Sequence, residues 1–237
     1  MAVKVVNRRT VRGAFISMTL AGAALLASCA PKELPPPPSV ATVPPRPYPP
    51  MGASPTLAIP PAGPAGVRVT VNTGIDAEQT TWTLRSAYNV AALNCRDAEH
   101  AAILDGYSQF LKTHAKSLKA ANGALDTKFK GQYGKAFIAN RETYQTQIYN
   151  YFALPPVLPA FCDAATQMSA DLKAVSADQL DVFAPGALAK LDAVFLEFFN
   201  SYDQYRADLA LWEARYGTGL PAAAKPIAAV PDHSLLQ

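Results

Sequence analysis

Residues 188–216 have the sequence LAKLDAVFLEFFNSYDQYRADLALWEARY, and this stretch decides the fold. Its large apolar side chains recur at alternating steps of three and four residues, which places them along one side of a single helix. They are Leu188, Leu191, Phe195, Phe198, Tyr202, Tyr205, Leu209, Trp212 and Tyr216. So many rings fill the core of a globular bundle better than the thin seam of a two-stranded coil. We therefore predict that this helix supplies the core of an all-α domain.

The aromatic members of this stripe form what we call the aromatic seam. They are Phe195, Phe198, Tyr202, Tyr205, Trp212 and Tyr216. Two alternatives to core packing stay open for the seam, namely self-association and a groove that holds an aromatic ligand.

Helical apolar spacing also runs through the chain upstream of this stretch. It predicts helices at about 76–95, 97–122, 125–153 and 160–175, with the last helix beginning near Pro185. Asp76 and Gln79 form a capping-box pattern at the first start, and Asn122-Gly123 resembles a helix stop. Gly131 and Gly134 weaken the first half of the 125–153 helix, where a bend or a split is the alternative to one continuous helix. Residues 67–71 alternate and predict one short strand. We expect an antiparallel four- to five-helix bundle over residues 67–217, which is long enough for one core.

A proline-rich segment precedes this domain. Residues 31–66 contain 14 of the 21 prolines and almost no aromatic residues. Such a composition favours extended polyproline II structure, so we interpret residues 29–66 as a disordered spacer. Docking of a proline-binding partner is the alternative. The Ala- and Pro-rich residues 218–237 predict a disordered tail.

The amino-terminal residues carry an export pattern. Lys4, Arg8, Arg9 and Arg12 precede a short apolar stretch that ends in Leu26-Ala27-Ser28-Cys29. This ending resembles the lipobox of bacterial lipoproteins. The resemblance covers only about residues 4–30, and an ordinary secretory signal is the alternative. The helical region resembles no family of known function.

The lipoprotein resemblance implies the cellular location of the protein. Residues 1–28 would be removed as the signal peptide, and Cys29 would become an acylated first residue that anchors the chain to a membrane. Ala30 at the next position is similar to the residues of lipoproteins sorted to the outer membrane. The helical domain would then lie in the periplasm.

The net charge of +3 belongs mostly to the export signal. Residues 1–28 hold four bases and no acid, so the mature chain has 17 bases against 18 acids. This balance gives no general reason to expect nucleic-acid binding.

Two cysteines, Cys95 and Cys162, remain once Cys29 is set aside. Exported thiols in an oxidising compartment pair as disulfides, so we predict a Cys95–Cys162 bridge. A catalytic thiol or a metal ligand is the alternative, although neither cysteine has a partner motif nearby.

Bases concentrate between residues 106 and 141. The lysines there are Lys112, Lys116, Lys119, Lys128, Lys130 and Lys135. The first three share one helical face and are candidates for contact with an anionic surface, such as lipid phosphates or an acidic envelope protein. The alternative is a solvated face that pairs with the acidic helices of the same bundle.

Catalysis finds little support in the sequence. His100 and His114 are separated by about 21 Å of predicted helix, too far for one metal ion. The motifs of serine hydrolases, phosphate-binding loops and zinc proteases are missing, so we predict no catalytic residues, cofactor or metal. The expected function is binding or scaffolding in the cell envelope. A small-molecule carrier that uses the aromatic seam, and a hydrolase acting on envelope polymers, remain as alternatives.

Overall fold

The computed structural model describes residues 43–217, and this part of the chain folds into six α-helices. The helices are α1 (Ala77–Asn94), α2 (Ala102–Thr113), α3 (Ala115–Tyr133), α4 (Phe137–Phe152), α5 (Leu158–Leu172) and α6 (Leu180–Tyr216). The all-α bundle is therefore confirmed. In place of the predicted strand at 67–71, the structure has an isolated β-bridge between Ala62 and Arg68. No helix within residues 43–217 has both the length and the apolar character needed to cross a membrane.

Helix α1 lies at the centre of the bundle and contacts each of the other five helices. It is buried on several sides, so even Thr83 and Ser86 are inaccessible to solvent. The predicted capping box is confirmed at its start. Asp76 accepts a hydrogen bond from the Gln79 backbone N–H at 2.8 Å, and the Gln79 side chain accepts one from the Asp76 N–H at 3.3 Å.

The stripe on α6 forms core, as predicted, from Leu188 to Leu209. Its centre is Phe195, whose ring stacks on Tyr151 at 4.7 Å and meets Phe152 and Phe161 edge-on. The helix begins at Leu180, more than a turn before the predicted start. Pro185 consequently lies inside α6 and not in its first turn.

The predicted helix at 97–122 is wrong in its boundaries. A short 3-10 turn comes first, and the chain then breaks at His114, between α2 and α3. Gly123 lies inside α3 and does not end it. The helix that was predicted from 125 to 153 is split at Gly134, where a positive φ of 54° suits glycine.

Residues 43–66 are not a free spacer, so the predicted boundary at residue 66 needs correction. They belong to a segment, residues 43–73, that runs along α6 in the opposite direction and that we call the strap. Trp212 Nε1 donates to the Pro44 carbonyl at 2.8 Å. Further along, Tyr202 donates to the Ser54 carbonyl at 2.7 Å and accepts from the Leu57 N–H at 3.0 Å.

The apolar residues of the strap explain why it packs. Ala53 is buried, and Leu57 and Ile59 are partly buried against the core. A proline-rich chain loses little conformational entropy when it packs against a surface, and such chains commonly bind to surfaces lined by aromatic residues. The expected signal peptide, Cys29 with residues 30–42, and the tail 218–237 lie outside the described residues.

The predicted disulfide is confirmed. Cys95 and Cys162 are bonded, with their Cα atoms 5.5 Å apart. The bridge joins the C-terminal end of α1 to the first turns of α5, beside the Phe161–Phe195 contact.

Candidate functional site

Lys112, Lys116 and Lys119 form an exposed line across the α2–α3 junction, which we call the lysine stripe. Helical geometry places it opposite the buried side of the same two helices. On either side of the junction at His114, that buried side includes Phe110 of α2 and Leu118, Ala121 and Leu125 of α3. Within residues 43–217, no ion pair joins a lysine of the stripe to an acid. The expected pairing with acidic helices of the same bundle is therefore not made by these three side chains.

The other three lysines of the basic segment do not join the stripe in one surface. Lys128 Nζ donates a hydrogen bond to the Asp76 carboxylate at 2.7 Å and another to Gln79 Oε1. This lysine therefore stabilises the N-terminal end of α1. Lys130 lies over the Phe137 ring at 4.9 Å, and Lys135 is exposed in the turn before α4.

The carboxyl of Asp76 reflects this arrangement. Partial burial alone would raise its pKa, but the hydrogen bonds from Lys128 and from the Gln79 N–H outweigh burial and hold the pKa below its ordinary value. Asp76 is consequently charged at neutral pH and caps α1 as a carboxylate.

The lysine stripe lies at the end of the domain where α6 begins. Ser117 donates to the Ala177 carbonyl at 3.4 Å, which places the start of α3 beside the loop that leads into α6. Thr81 and Asp181 are hydrogen-bonded at 3.1 Å, so α1 begins at the same end. Helix α6 has 37 residues. At 1.5 Å per residue, its C-terminal end lies about 55 Å away along the helix.

The aromatic seam does not form an open groove. Phe198 and Tyr202 have no solvent-accessible surface, and both hydrogen-bonding roles of the Tyr202 hydroxyl are taken by the strap. Tyr205 is 5 % exposed, and only Trp212 and Tyr216, at the end of the helix, are half-buried. These contacts favour core packing over a ligand site on the seam.

A groove of about 500 Å³ lies between α2 and α5. Gly106 forms part of its wall, next to the 2.6 Å hydrogen bond between Tyr88 and Ser169. His114 also lines the groove and is 1 % exposed. Burial lowers the pKa of its imidazole, with the nearby Ala177 carbonyl acting in the opposite direction, so the ring is neutral at pH 7.

The two described histidines lack the arrangement of a hydrolytic site. The Ser169 hydroxyl pairs with Tyr88, so no base activates it. His100 is buried and lies 3.0 Å from an Asp163 oxygen, beside the disulfide. Among residues 43–217, no three His, Cys, Asp or Glu side chains converge in a way that would hold a metal ion.

A polar cluster that the sequence did not reveal fixes the strap on α6. The Arg68 guanidinium is buried, donates to the Pro60 carbonyl at 2.6 Å and pairs with Asp203. Nearby, Asp192 accepts hydrogen bonds from Asn72 and Tyr151, each at 2.6 Å. The only local signal was one arginine within the apolar run at 67–71.

Burial and the neighbouring Asp192 keep the Tyr151 hydroxyl protonated. Burial raises its pKa strongly, and the negative charge of Asp192 raises it further. The hydroxyl therefore donates to the carboxylate at physiological pH, and the pair acts as a structural link between α4 and α6.

Comparison with family models, with curated proteins and with solved structures finds no match to this chain.

Proposed function

We propose that this chain is a bacterial lipoprotein, anchored to the outer membrane through acylated Cys29, whose periplasmic helical domain is a binding or scaffolding module. The lipobox resemblance at Leu26–Cys29 supports the anchor. The observation that carries the binding role is the lysine stripe, because its three cations lie in a line without an internal acidic partner.

The stripe suits an acidic protein surface. Lys116 and Lys119, three residues apart on α3, lie about 5–6 Å from each other, and Lys112 lies on the other side of the α2–α3 junction. Exposed charges of this kind steer association and set its orientation, while each pair contributes little affinity alone. The complex should consequently weaken with salt, since the screening length is about 10 Å at 0.1 M.

The packing argues against catalysis as the main role. In the described part of the chain, neither histidine is hydrogen-bonded to a serine or threonine hydroxyl, and the disulfide removes Cys95 and Cys162 as free thiols. A hydrolase acting on envelope polymers therefore has weaker support than a binding module.

A small-molecule carrier is the second candidate, at a different place from the aromatic seam. The α2–α5 groove has a volume within the range of small-ligand sites, which is roughly 300–1,000 Å³. Phe110 and Leu172 supply apolar wall, while His114 and Lys173 supply polar groups. Native mass spectrometry of the purified chain tests it: a co-purifying ligand should disappear when exposed Gln109, in the groove wall, is changed to Trp.

Crosslinking in intact cells tests the principal proposal. The wild-type chain should capture a defined envelope partner, and replacing Lys112, Lys116 and Lys119 together by Glu should abolish the capture. The matched control replaces the same three residues by Arg, which keeps the charge and should keep the partner. Equal yields from the Glu and Arg variants would contradict the role of the stripe. If the wild-type chain captures an anionic polymer and not a protein, the proposed class of partner is wrong.

A further inference from the structure

The last turn of α6 and the first residues of the strap form one surface, which we call the tip. It consists of Val43, Pro44 and Arg46 from the strap and Leu211, Trp212, Arg215 and Tyr216 from α6. Two contacts join its halves: Trp212 donates to the Pro44 carbonyl, and Arg46 pairs with Glu213 at 2.7 Å. The tip is consequently a built part of the fold and not a frayed helix end.

The tip combines exposed apolar groups with aromatic rings and arginines. Leu211 is 71 % exposed and Val43 is 61 % exposed. The Trp212 and Tyr216 rings are 5.9 Å apart, and the Arg215 guanidinium lies over the Tyr216 ring at 5.5 Å. Single exposed apolar residues need no explanation, but Trp, Tyr and Arg grouped with them are the residues that favour a bilayer interface.

The short stretch of sequence between Cys29 and the tip indicates that a lipid bilayer contacts the tip. The described chain begins at Val43, on the tip itself, and Cys29 lies 14 residues earlier in the sequence. A polyproline II segment of this length reaches about 43 Å at 3.1 Å per residue. A lipid on Cys29 would therefore hold the tip within about that distance of the bilayer, at a high effective concentration.

We propose that the tip lies on the phospholipid surface, with the Trp212 and Tyr216 rings among the headgroups and Arg215 near a lipid phosphate. This inference rests on the proposed lipid anchor. Helix α6 then extends away from the membrane and presents the lysine stripe, at its other end, to a partner in the periplasm.

The two tryptophans of the chain report separately on the two ends of the domain. Trp212 belongs to the tip, whereas Trp82 follows Thr81, which is hydrogen-bonded to Asp181 at the start of α6. At 1.5 Å per residue, the 31 residues between Asp181 and Trp212 separate the two ends by about 46 Å. Trp82→Phe leaves only the tip fluorophore, and Trp212→Phe leaves only the distal one.

The test uses the lipidated full chain in vesicles of phosphatidylethanolamine and phosphatidylglycerol whose acyl chains carry bromine, a short-range quencher. Trp212 fluorescence should fall relative to unbrominated vesicles, and Trp82 fluorescence should not. Amide exchange of residues 205–217 gives the same answer without substitution, because membrane contact should slow exchange at the tip.

A matched pair of variants locates the contact. Leu211→Glu with Arg215→Glu should abolish quenching of Trp212 while the chain stays lipidated. Val182→Glu changes a residue that is 77 % exposed at the other end of α6 and should leave quenching intact. A lipidated, vesicle-bound wild type without Trp212 quenching would overturn the tip contact alone. A chain that carries no lipid would overturn the anchor and the tip contact together.

Discussion

Gly106 provides the sharpest test of how the bundle is packed. A Cβ atom at this position would lie against the Ser169 Oγ and the Tyr88 hydroxyl, closer than real side-chain carbons approach other atoms. The two oxygens share a buried hydrogen bond of 2.6 Å. Gly106→Ala must therefore either break that bond or push α2 away from α1 and α5.

The cost of this substitution follows from three effects. Overpacking a tight core costs about 1–3 kcal/mol, and leaving a buried hydroxyl unpaired costs about 1–3 kcal/mol. Alanine has a higher helix propensity than glycine, which offsets about 1 kcal/mol of this cost. Where both costs are incurred, we expect Gly106→Ala to lower the free energy of unfolding by about 1–5 kcal/mol, the two costs less the helix gain.

Gly123 is the matched control, because it also lies in a helix but a Cβ atom there would meet no neighbouring group within 4 Å. Gly123→Ala should stabilise the domain by about 0.4–1 kcal/mol. Urea unfolding of the unlipidated full chain (Cys29→Ala), followed by circular dichroism, measures both values. A Gly106→Ala chain as stable as the Gly123→Ala chain would refute the close α1–α2–α5 packing.

Three further predictions concern stability. Replacing Cys95 and Cys162 by Ala should lower the free energy of unfolding by about 4 kcal/mol, the chain-entropy value for a sequence separation of 67 residues, and urea unfolding measures the loss. Burial holds the pKa of the His114 imidazole in the folded protein below 6.5. The neutral ring therefore contributes its full stabilisation above pH 6.5, and this stabilisation is lost as the pH falls through the pKa of the folded state. His114→Phe should flatten this part of a stability–pH profile, and an unchanged slope would count against the buried neutral ring. Asp76→Ala should cost about 1 kcal/mol at pH 7 through loss of the cap. Because the folded pKa of Asp76 lies below 3.8, that difference should shrink as acid protonates the carboxylate, and thermal unfolding at pH 7 and pH 3 compares the two.

Features set by short-range patterns were predicted from the sequence. The capping box at Asp76 and Gln79 needs only four residues of sequence. The α6 stripe repeats often enough that its buried side is unambiguous. The Cys95–Cys162 disulfide was predicted from the number of cysteines and the expected compartment, because two thiols in an oxidising environment usually form a disulfide.

Helix boundaries depended on contacts that are distant in sequence. Gly123 resembles a stop signal, but the neighbouring Ala121 and Leu125 are buried in the bundle, and packing of that face outweighs the roughly 1 kcal/mol penalty of a helical glycine. The break occurs at His114, whose ring is buried beside Ala177. No local pattern marks that residue.

The strap was the largest error of the sequence-based interpretation. Proline content predicted extended chain, but the described part of the segment includes 3-10 turns at Pro50–Gly52 and Pro64–Gly66, and proline content does not reveal what the chain lies on. The contacts that hold the strap join residues 120 to 168 positions apart, such as Asn72 with Asp192 and Pro44 with Trp212. The lysine stripe was placed on one face by helical spacing, whereas the use of Lys128 at the start of α1 required the tertiary structure.

Mass spectrometry of the membrane-bound protein tests the lipid anchor, on which the account depends, most directly. Cleavage after Lys32 should release a peptide that begins at Cys29 and carries a thioether-linked diacylglycerol and an amide-linked acyl chain. A Cys29→Ala chain should lack these groups and leave the outer-membrane fraction. A mature chain that begins at another residue, or that carries an unmodified Cys29, would contradict the account.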